Sequence, residues 1–277
     1  MNRVVWIAAV ALWGATQAAA QGVMVAPTAV FMDHRTRSGQ VTLVNPGTDP
    51  VEVSISVFYG YTVTDSLGQL SLKTVEQPDS TDPSAAGWLQ AFPRRLTVAP
   101  HDRQTIRLLA TPPPGLKDGE YWARIAFHAK AGQLPVAGVT DTARIKIGLN
   151  LEVRTIIGLV YRKGPMQSSI ALSDARATMR GDSLEVRARL TRQGNGAYFG
   201  TVRGVIVDAK GKTQGGNFKI PITVYFATTP RWMTPVGVLP SGHYWVRLTI
   251  AAERDDLAPE LLLRSAPVRD SVALVVP

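Results

Sequence analysis

Apolar and polar side chains alternate with a period of two along most of the chain after Gln21. This spacing is typical of β-strands with one buried face, and no segment after Gln21 has the spacing of an amphipathic helix of about three turns. Turn-forming groups such as Asn45-Pro46-Gly47 separate the alternating runs. We therefore predict an all-β protein whose first half is a sandwich. Its predicted strands are Val23–Phe31, Gly39–Val44, Val51–Tyr61, Thr97–Val98, Arg103–Ala110 and Tyr121–Ala129.

The longest alternation runs from Ala143 to Tyr161. At about 3.3 Å per residue, an unbroken strand there would be roughly 60 Å long, well beyond an ordinary strand. Two interpretations follow: part of the strand overhangs its domain, or the segment is a plain core strand, divided into two by a bulge near Thr155. Five apolar residues share one face of the predicted strand: Ile145, Ile147, Leu149, Leu151 and Val153.

A turn at Arg162-Lys163-Gly164-Pro165 ends this run and predicts a domain boundary, because proline cannot continue a strand ladder. The second half contains shorter alternating runs and a hairpin turn at Asp208-Ala209-Lys210-Gly211. We predict a first domain over residues 21–163 and a second β-sandwich over residues 164–277. The predicted strands of the second half are Leu184–Leu190, Gly200–Asp208, Phe218–Tyr225, His243–Ala251 and Val268–Val275.

The first twenty residues have the features of a cleavable secretion signal. Arg3 precedes an apolar run from Val4 to Ala15 that is too short to span a bilayer, and Ala18-Ala19-Ala20 supplies the small residues of a cleavage site. Residues 1–20 are therefore predicted to be removed, so that the mature chain begins at Gln21 and carries no integral membrane segment.

Composition narrows the classes of function. The 277 residues include no cysteine, which excludes disulfides, thiolate nucleophiles and cysteine metal sites. The formal charge of +9 falls by one when Arg3 leaves, and the basic residues are scattered, so no nucleic-acid tract is predicted. A basic surface that meets anionic envelope components or an acidic partner is the milder inference.

No catalytic or metal-binding constellation stands out. The sequence has no G-x-S-x-G motif, and Gly194-Asn195-Gly196 is predicted to be a turn. The four histidines lack the short spacing of a zinc site. We therefore predict a protein that is not an enzyme and has no cofactor and no metal. The histidines are His34, His101, His128 and His243.

Several short segments of the first half have a distinctive order of residue types. In the stretch that begins at Phe92, a proline, a leucine and a small residue with a second proline precede a basic strand. The segments are Val30-Phe31, Val41-Thr42-Leu43-Val44-Asn45, Phe92-Pro93-Arg94-Arg95-Leu96-Thr97-Val98-Ala99-Pro100 with Ile106-Arg107-Leu108, Gly119-Glu120-Tyr121 and Leu159-Val160-Tyr161-Arg162. In these residues the chain, from about Val25 to Arg162, resembles the periplasmic pilus-assembly chaperones of the PapD-like class. The resemblance implies two immunoglobulin-like β-sandwich domains set at an angle, and a periplasmic location.

The resemblance also implies a binding mode. In these chaperones the last long strand of the first domain fills the open groove of an incomplete β-sandwich subunit, which is donor-strand complementation. The partner would be a pilus or surface-structure subunit, with an outer-membrane usher as a second partner. The implied donor residues are Leu149, Leu151 and Val153, extended by Ile145 and Ile147.

Charged residues of the family pattern match only in part. The family anchors the subunit's terminal carboxylate with an arginine and a lysine, and the alignment places Ala29 and Gly158 at those positions. Arg154 and Arg162 are the nearest substitutes for these cations, and Arg154 is the candidate contact for a carboxylate. Glu120 and Arg162 match a family pair that braces the domain junction, and an ordinary surface pair is the alternative.

Two hypotheses for function result. The first is a periplasmic chaperone-like protein that binds incomplete β-sandwich subunits by strand addition. The second is a structural or adhesive cell-envelope protein with an immunoglobulin-like scaffold, in which the same long strand is internal and the basic surface meets polysaccharide or membrane. Architecture by itself does not separate them.

Processing of the chain is directly testable. We expect the protein from the envelope fraction to have the mass of residues 21–277, because the apolar run that precedes Gln21 is a signal segment. Intact-mass spectrometry measures this. A membrane-pelleted chain that still carries Met1–Ala20 would contradict the prediction.

Overall fold

The computed structural model describes residues 22–130, 134–135, 148–149 and 152–277. Within them the chain is almost entirely β-strand, with two short 3-10 turns at Ala86–Trp88 and Pro259–Leu261. The predicted all-β class is confirmed, and the strands form two β-sandwich domains. They are β1 (Met24–Ala26), β2 (Ala29–Asp33), β3 (Ser38–Val44), β4 (Val51–Thr64), β5 (Leu70–Val75), β6 (Leu89–Phe92), β7 (Arg95–Val98), β8 (Arg103–Ala110), β9 (Gly119–Lys130), β10 (Leu134–Pro135), β11 (Gly148–Leu149), β12 (Glu152–Lys163), β13 (Ser168–Arg180), β14 (Ser183–Gly194), β15 (Tyr198–Asp208), β16 (Thr213–Val224), β17 (Ala227–Thr228), β18 (Arg231–Pro235), β19 (Gly242–Ala251) and β20 (Val268–Val276).

The first sandwich packs a four-stranded sheet, in the order β1-β3-β8-β6, against a larger sheet in the order β2-β12-β9-β4-β5, with β7 also on β4. Alternate residues of both sheets meet in a dry core that includes Leu43, Ile106, Ile125 and Phe127. Each core side chain of this size contributes roughly 1.5–3 kcal/mol by burial, which holds the sheets together without disulfides.

The predicted strand Val23–Phe31 is wrong as one element. Pro27 has no N–H to donate to a ladder, and the chain changes sheets there. β1 pairs with β3 in one sheet, and β2 pairs parallel with β12 in the other. The start of the chain thereby ties both sheets of the first sandwich together.

The second sandwich pairs a sheet of β13, β14, β17 and β18 with a sheet in the order β16-β15-β19-β20. Its core is a separate cluster around Leu184, Val202, Ile206 and Val246. The sheets change between β12 and β13. The domain boundary between residues 163 and 164 stays a prediction.

Two sets of contacts join the sandwiches. An aromatic cluster at the junction contains Trp122 and Val160 from the first sandwich and Phe199 and Tyr225 from the second. The tip of the β4–β5 hairpin also reaches the second sandwich, where the Thr229 N–H donates to Thr64 Oγ1 over 2.8 Å. The junction is therefore packed rather than hinged on a bare linker.

The described part of the segment after Ala143 lies in β11 and β12. β11 pairs with β10 in a two-stranded sheet, and β12 belongs to the larger sheet of the first sandwich. The pairing of β12 with β9 has no register shift from Glu152 to Lys163, so the predicted bulge near Thr155 is wrong. Among the described residues no helix is long and apolar enough to cross a membrane.

Candidate functional site

β12 is paired on both sides only along its second half. β9 pairs antiparallel with all of β12, whereas β2 joins its other side only from Gly158 onward. From Glu152 to Ile157, no strand in the described part of the chain pairs with that other side. This half of β12 is an open sheet edge that can accept another strand.

The two faces of β12 have different surroundings. Odd-numbered residues face the first core, where Ile157, Leu159 and Tyr161 are buried and Val153 packs at the margin. Even-numbered residues lie on the opposite face, where Val160 is buried between the domains and Glu152 and Arg154 are exposed. The apolar residues predicted to bind a partner continue the odd-numbered series.

Two of the predicted donor residues lie in the described part of the chain. Val153 is partly buried in β12, and Leu149 lies in β11, where its backbone pairs with Leu134. Ile145, Ile147 and Leu151 lie outside the described residues. The described pairing of β9 with β12 begins at Lys130 opposite Glu152, so Val153 is the one predicted donor residue within it.

A cationic side chain stands in the row where the resemblance implied two cations. Ala29 and Gly158 lie directly opposite each other in β2 and β12, and Arg124 of β9 follows opposite Gly158. A Cβ built on Gly158 would lie 3.1 Å from Nη1 of Arg124, so the guanidinium extends over the glycine. The row therefore has a cation, which comes from the neighbouring strand.

Arg124 lies at the inner corner of the two domains. Its Nε donates to the Gly60 carbonyl over 3.1 Å, and its guanidinium carbon lies 5.1 Å from the ring centre of Tyr225 in the second sandwich. No carboxylate of the described residues lies within 4.0 Å of it. A partly buried guanidinium without a counter-ion favours an incoming anion, because a charge-assisted pair replaces lost hydration.

Arg154, the candidate carboxylate contact from the sequence, has a different setting. Its side chain is exposed, and its guanidinium carbon lies 5.4 Å from the ring centre of Phe58. It sits on the open half of β12, whereas Arg124 lies beside the paired half. A carboxylate at Arg154 would stay in water, where an ion pair contributes little.

Glu120 and Arg162 lie at the junction between the sandwiches. Nε of Arg162 is 2.9 Å from Oε2 of Glu120, and the Glu120 side chain is fully buried. Oε1 of Glu120 accepts hydrogen bonds from Trp122 Nε1 and from the Ala197 N–H of the second sandwich. Arg162 Nη1 donates to the Leu261 carbonyl over 2.6 Å. Both side chains thus bond to both domains, and their role as a brace stays a prediction.

Arg192 adds a second cation to this junction. Its Nε donates to the Tyr225 carbonyl over 2.6 Å, and its guanidinium lies over the rings of Trp122 and Phe226. Burial lowers the pKa of the Arg192 guanidinium, and the charge of Glu120 opposes that shift. These contacts lock Arg192 into the junction, so Arg124 is the better placed cation for a partner.

Sequence reasoning missed Arg124 because its position depends on register between strands. The segment was predicted as the strand Tyr121–Ala129, but nothing in one sequence says that Arg124 stands opposite Gly158. The signal that could have found it is the pair of small residues, Ala29 and Gly158, which leave room for a long side chain from a neighbour. No group of three or more histidine and acidic residues suited to a metal occurs in the described ranges.

The Glu120–Arg162 pair makes a testable contribution to stability. We expect Glu120→Gln to lower the free energy of unfolding by about 3–5 kcal/mol, because it leaves the partly buried Arg162 without its carboxylate. Asp118→Asn is the matched control, since Asp118 pairs with Lys163 at 3.8 Å in water and should contribute less than about 1 kcal/mol. Urea unfolding measures both. A loss in Glu120→Gln no larger than in the control would contradict the brace.

No protein-family model matches the chain, and no curated protein matches it in sequence. The chain is similar to the solved structure of the YadV chaperone, with 17% identity and a TM-score of 0.45 over 89% of this chain and 98% of that one. It is also similar to the DraB chaperone of E. coli, with 13% identity and a TM-score of 0.40 over 82% and 89% of the two chains. It is similar as well to the CupB2 chaperone of Pseudomonas aeruginosa, with 11% identity and a TM-score of 0.41 over 91% of this chain and 100% of that one. With TM-scores no higher than 0.45, the function has to be argued from the geometry of this chain.

Proposed function

We propose that this protein is a periplasmic chaperone that binds incomplete β-sandwich subunits of a pilus or related surface structure by donating a strand. The donated strand is the apolar series Ile145, Ile147, Leu149, Leu151 and Val153 with the edge that follows it. The protein performs no covalent chemistry in this role, and an outer-membrane usher would receive the subunit.

The observation that carries this proposal is the half-paired state of β12. Within the described residues no strand pairs with one side of β12 over Glu152–Ile157, and in the sequence this edge follows a series of large apolar residues at every second position. Such an edge invites aggregation unless a partner covers it. A subunit whose sandwich lacks one strand has a groove with free main-chain groups and a row of apolar pockets. The main-chain groups can pair with the edge, and the pockets can receive its apolar side chains.

The apolar series occupies the same alternate positions as the buried residues of β12, which fits the same mode of binding. The residues that would enter the subunit's groove belong to the odd-numbered face, which farther along fills the core of the first sandwich with Ile157 and Leu159. One continuous face would thus serve two cores, that of the protein and that of the subunit. Because side chains alternate with a period of two, one strand face can continue from the first core to the second without a shift of register.

Arg124 supplies the cation for a subunit's terminal carboxylate. It stands in the row of Ala29 and Gly158, has no carboxylate within 4.0 Å among the described residues, and faces the inner corner of the two domains. A carboxylate bound there would fix the subunit's end and hence the register of its strand against β12. This replaces the two cations of the family pattern by one from the adjacent strand.

The rival hypothesis, a structural or adhesive envelope protein, requires the apolar series to be internal. Its residues would then support the fold of the first sandwich. The two hypotheses therefore differ in what an acidic substitution in the series does to folding.

We expect Leu149→Asp with Leu151→Asp to abolish subunit capture while the protein still melts as a folded chain, because charges in the groove lose hydration without a partner. Tagged protein recovered from the periplasm of its own source, with co-purified chains identified by mass spectrometry, measures capture. Thermal melting of the same samples measures folding.

The matched control is Gly148→Asp with Asn150→Asp, which adds the same charge at the alternate positions. It should retain capture of the same chain. A collapsed melt in the leucine variant would mean that these leucines are core, and equal loss of capture in both variants would mean that face does not matter. Either result contradicts strand donation.

The two arginines should differ in their effect on subunit affinity. We expect Arg124→Gln to weaken binding by about 1.5–3 kcal/mol, the value of a charge-assisted hydrogen bond, and Arg154→Gln by less than about 1 kcal/mol. Titration calorimetry with the captured subunit measures both. A larger loss for Arg154→Gln than for Arg124→Gln would overturn the assignment of the anchor.

A further inference from the structure

The second sandwich has a grooved outer surface that the proposed function does not use. The sheet β16-β15-β19-β20 turns one face to its core and the other to solvent, where a shallow groove of about 940 Å³ is lined by Arg203, Lys219, Arg247 and Arg269. A smaller groove of about 250 Å³ shares Arg247 with it and extends to Trp245. The two form one continuous surface with a basic part and an aromatic end.

Strand register explains why the cations lie together. Lys219 is opposite Arg203, Arg203 is opposite Thr249, and Thr249 is opposite Arg269, so one row crosses all four strands. With neighbouring strands about 4.8 Å apart, the row spans roughly 14 Å. Arg247 lies two residues before Thr249 and therefore on the same face.

The four cations differ in their counter-ions. Arg203 pairs with Glu253, and Lys219 pairs with Asp255. Within the described ranges no carboxylate lies within 4.0 Å of Arg247 or Arg269. Two cations are thus already neutralised, and two are left for a ligand.

Arg247 and Arg269 are diagonal neighbours on β19 and β20, because Arg247 is opposite Ser271 and Arg269 is opposite Thr249. Diagonal neighbours lie about 7–8 Å apart, and their β-carbons are somewhat closer. The Arg247 guanidinium extends toward the turn between β15 and β16, where its Nη2 lies 3.5 Å from a Cβ built on Gly211. Arg247 and Arg269 therefore present two separate cations, and each can pair with a carboxylate of its own.

The rim of the groove argues against a uniformly anionic ligand. Asp270 lines the groove, and the carboxylates of Glu253 and Asp255 lie on the side chains that pair with its other two cations. A bilayer surface or a sulfated glycan would bring negative charge against these groups, which disfavours it. A polypeptide can place separate carboxylates at Arg247 and Arg269 and an apolar side chain against Trp245, which is 36% exposed.

We propose that this outer face is a docking surface for a protein partner, which places an aspartate or glutamate at each of Arg247 and Arg269 and an apolar side chain at Trp245. The surface lies in the second sandwich, whereas the open edge of β12 lies in the first. Failure of binding at this surface would therefore leave the proposal of strand donation unaffected, and the reverse also holds.

The test uses a fluorescein-labelled peptide of about ten residues in which every second position is a glutamate or a tyrosine and the positions between them are serine, so that an extended chain presents both residue types on one face. Fluorescence anisotropy of the full chain should give saturable binding that weakens from about 0.05 M to about 0.3 M salt. Arg247→Glu with Arg269→Glu should weaken binding by roughly tenfold or more. Trp245→Ala should weaken it as well.

The matched control is Arg176→Glu with Arg189→Glu, which makes the same change of charge at exposed positions on the other sheet of the same sandwich. We expect it to retain binding within about twofold. Arg247→Gln with Arg269→Gln repeats the test without charge reversal, in case the first variant fails to fold.

Three results would overturn the proposal. The peptide does not bind, or both charge-reversal pairs weaken it equally, so that only net charge matters. The third is that heparin or phosphatidylglycerol vesicles bind through Arg247 and Arg269 more tightly than the peptide, which would make the surface a site for a uniform polyanion.

Discussion

The continuous pairing of β9 with β12 positions every part of the candidate site. Arg124 opposite Gly158 places a cation at the inner corner, and Glu120 opposite Arg162 brings the ion pair to the junction. A slip of one residue would turn the apolar series away from its groove and Arg124 into the core. Register, more than any single side chain, is therefore the constraint on which the function rests.

The junction is stabilised by a charge that is buried at some cost. Glu120 is fully buried, and it is satisfied by Arg162, Trp122 and the main chain of Ala197 together. Buried ion pairs contribute little net stability, but they penalise every arrangement in which a partner is missing. As the predicted brace, the pair would favour one angle between the sandwiches and so keep Arg124 and the edge of β12 over Glu152–Ile157 in a fixed relation.

Local patterns predicted much of the fold. Alternation over residues such as Ile106 and Leu108 identified strands whose buried face is unambiguous. It failed for β5, whose side chains are nearly all exposed, and for β13, whose alternation is interrupted by the register shift between Ser173 and Arg176. At Pro27 one apolar run serves two sheets, which is a property of the assembled sandwich.

The candidate site was less accessible from sequence. Glu120 and Arg162 were predicted from a family resemblance, and the apolar series was predicted from its periodicity. Arg124 and the Arg247–Arg269 pair were not predicted at all, because each depends on which strands are neighbours and in what register. One sequence gives the spacing of residues along a strand and leaves the spacing across strands open.

The claim that the open edge of β12 receives a partner's strand is tested most directly by amide hydrogen exchange on the free protein and on its complex with a captured subunit. The account predicts that those amides of residues 145–157 that do not bond to a neighbouring strand, including the amides of β12 that point away from β9, exchange fast in the free protein and become strongly protected in the complex, while β14 and β19 change little. Unchanged exchange over residues 145–157 in a demonstrably bound complex would contradict it.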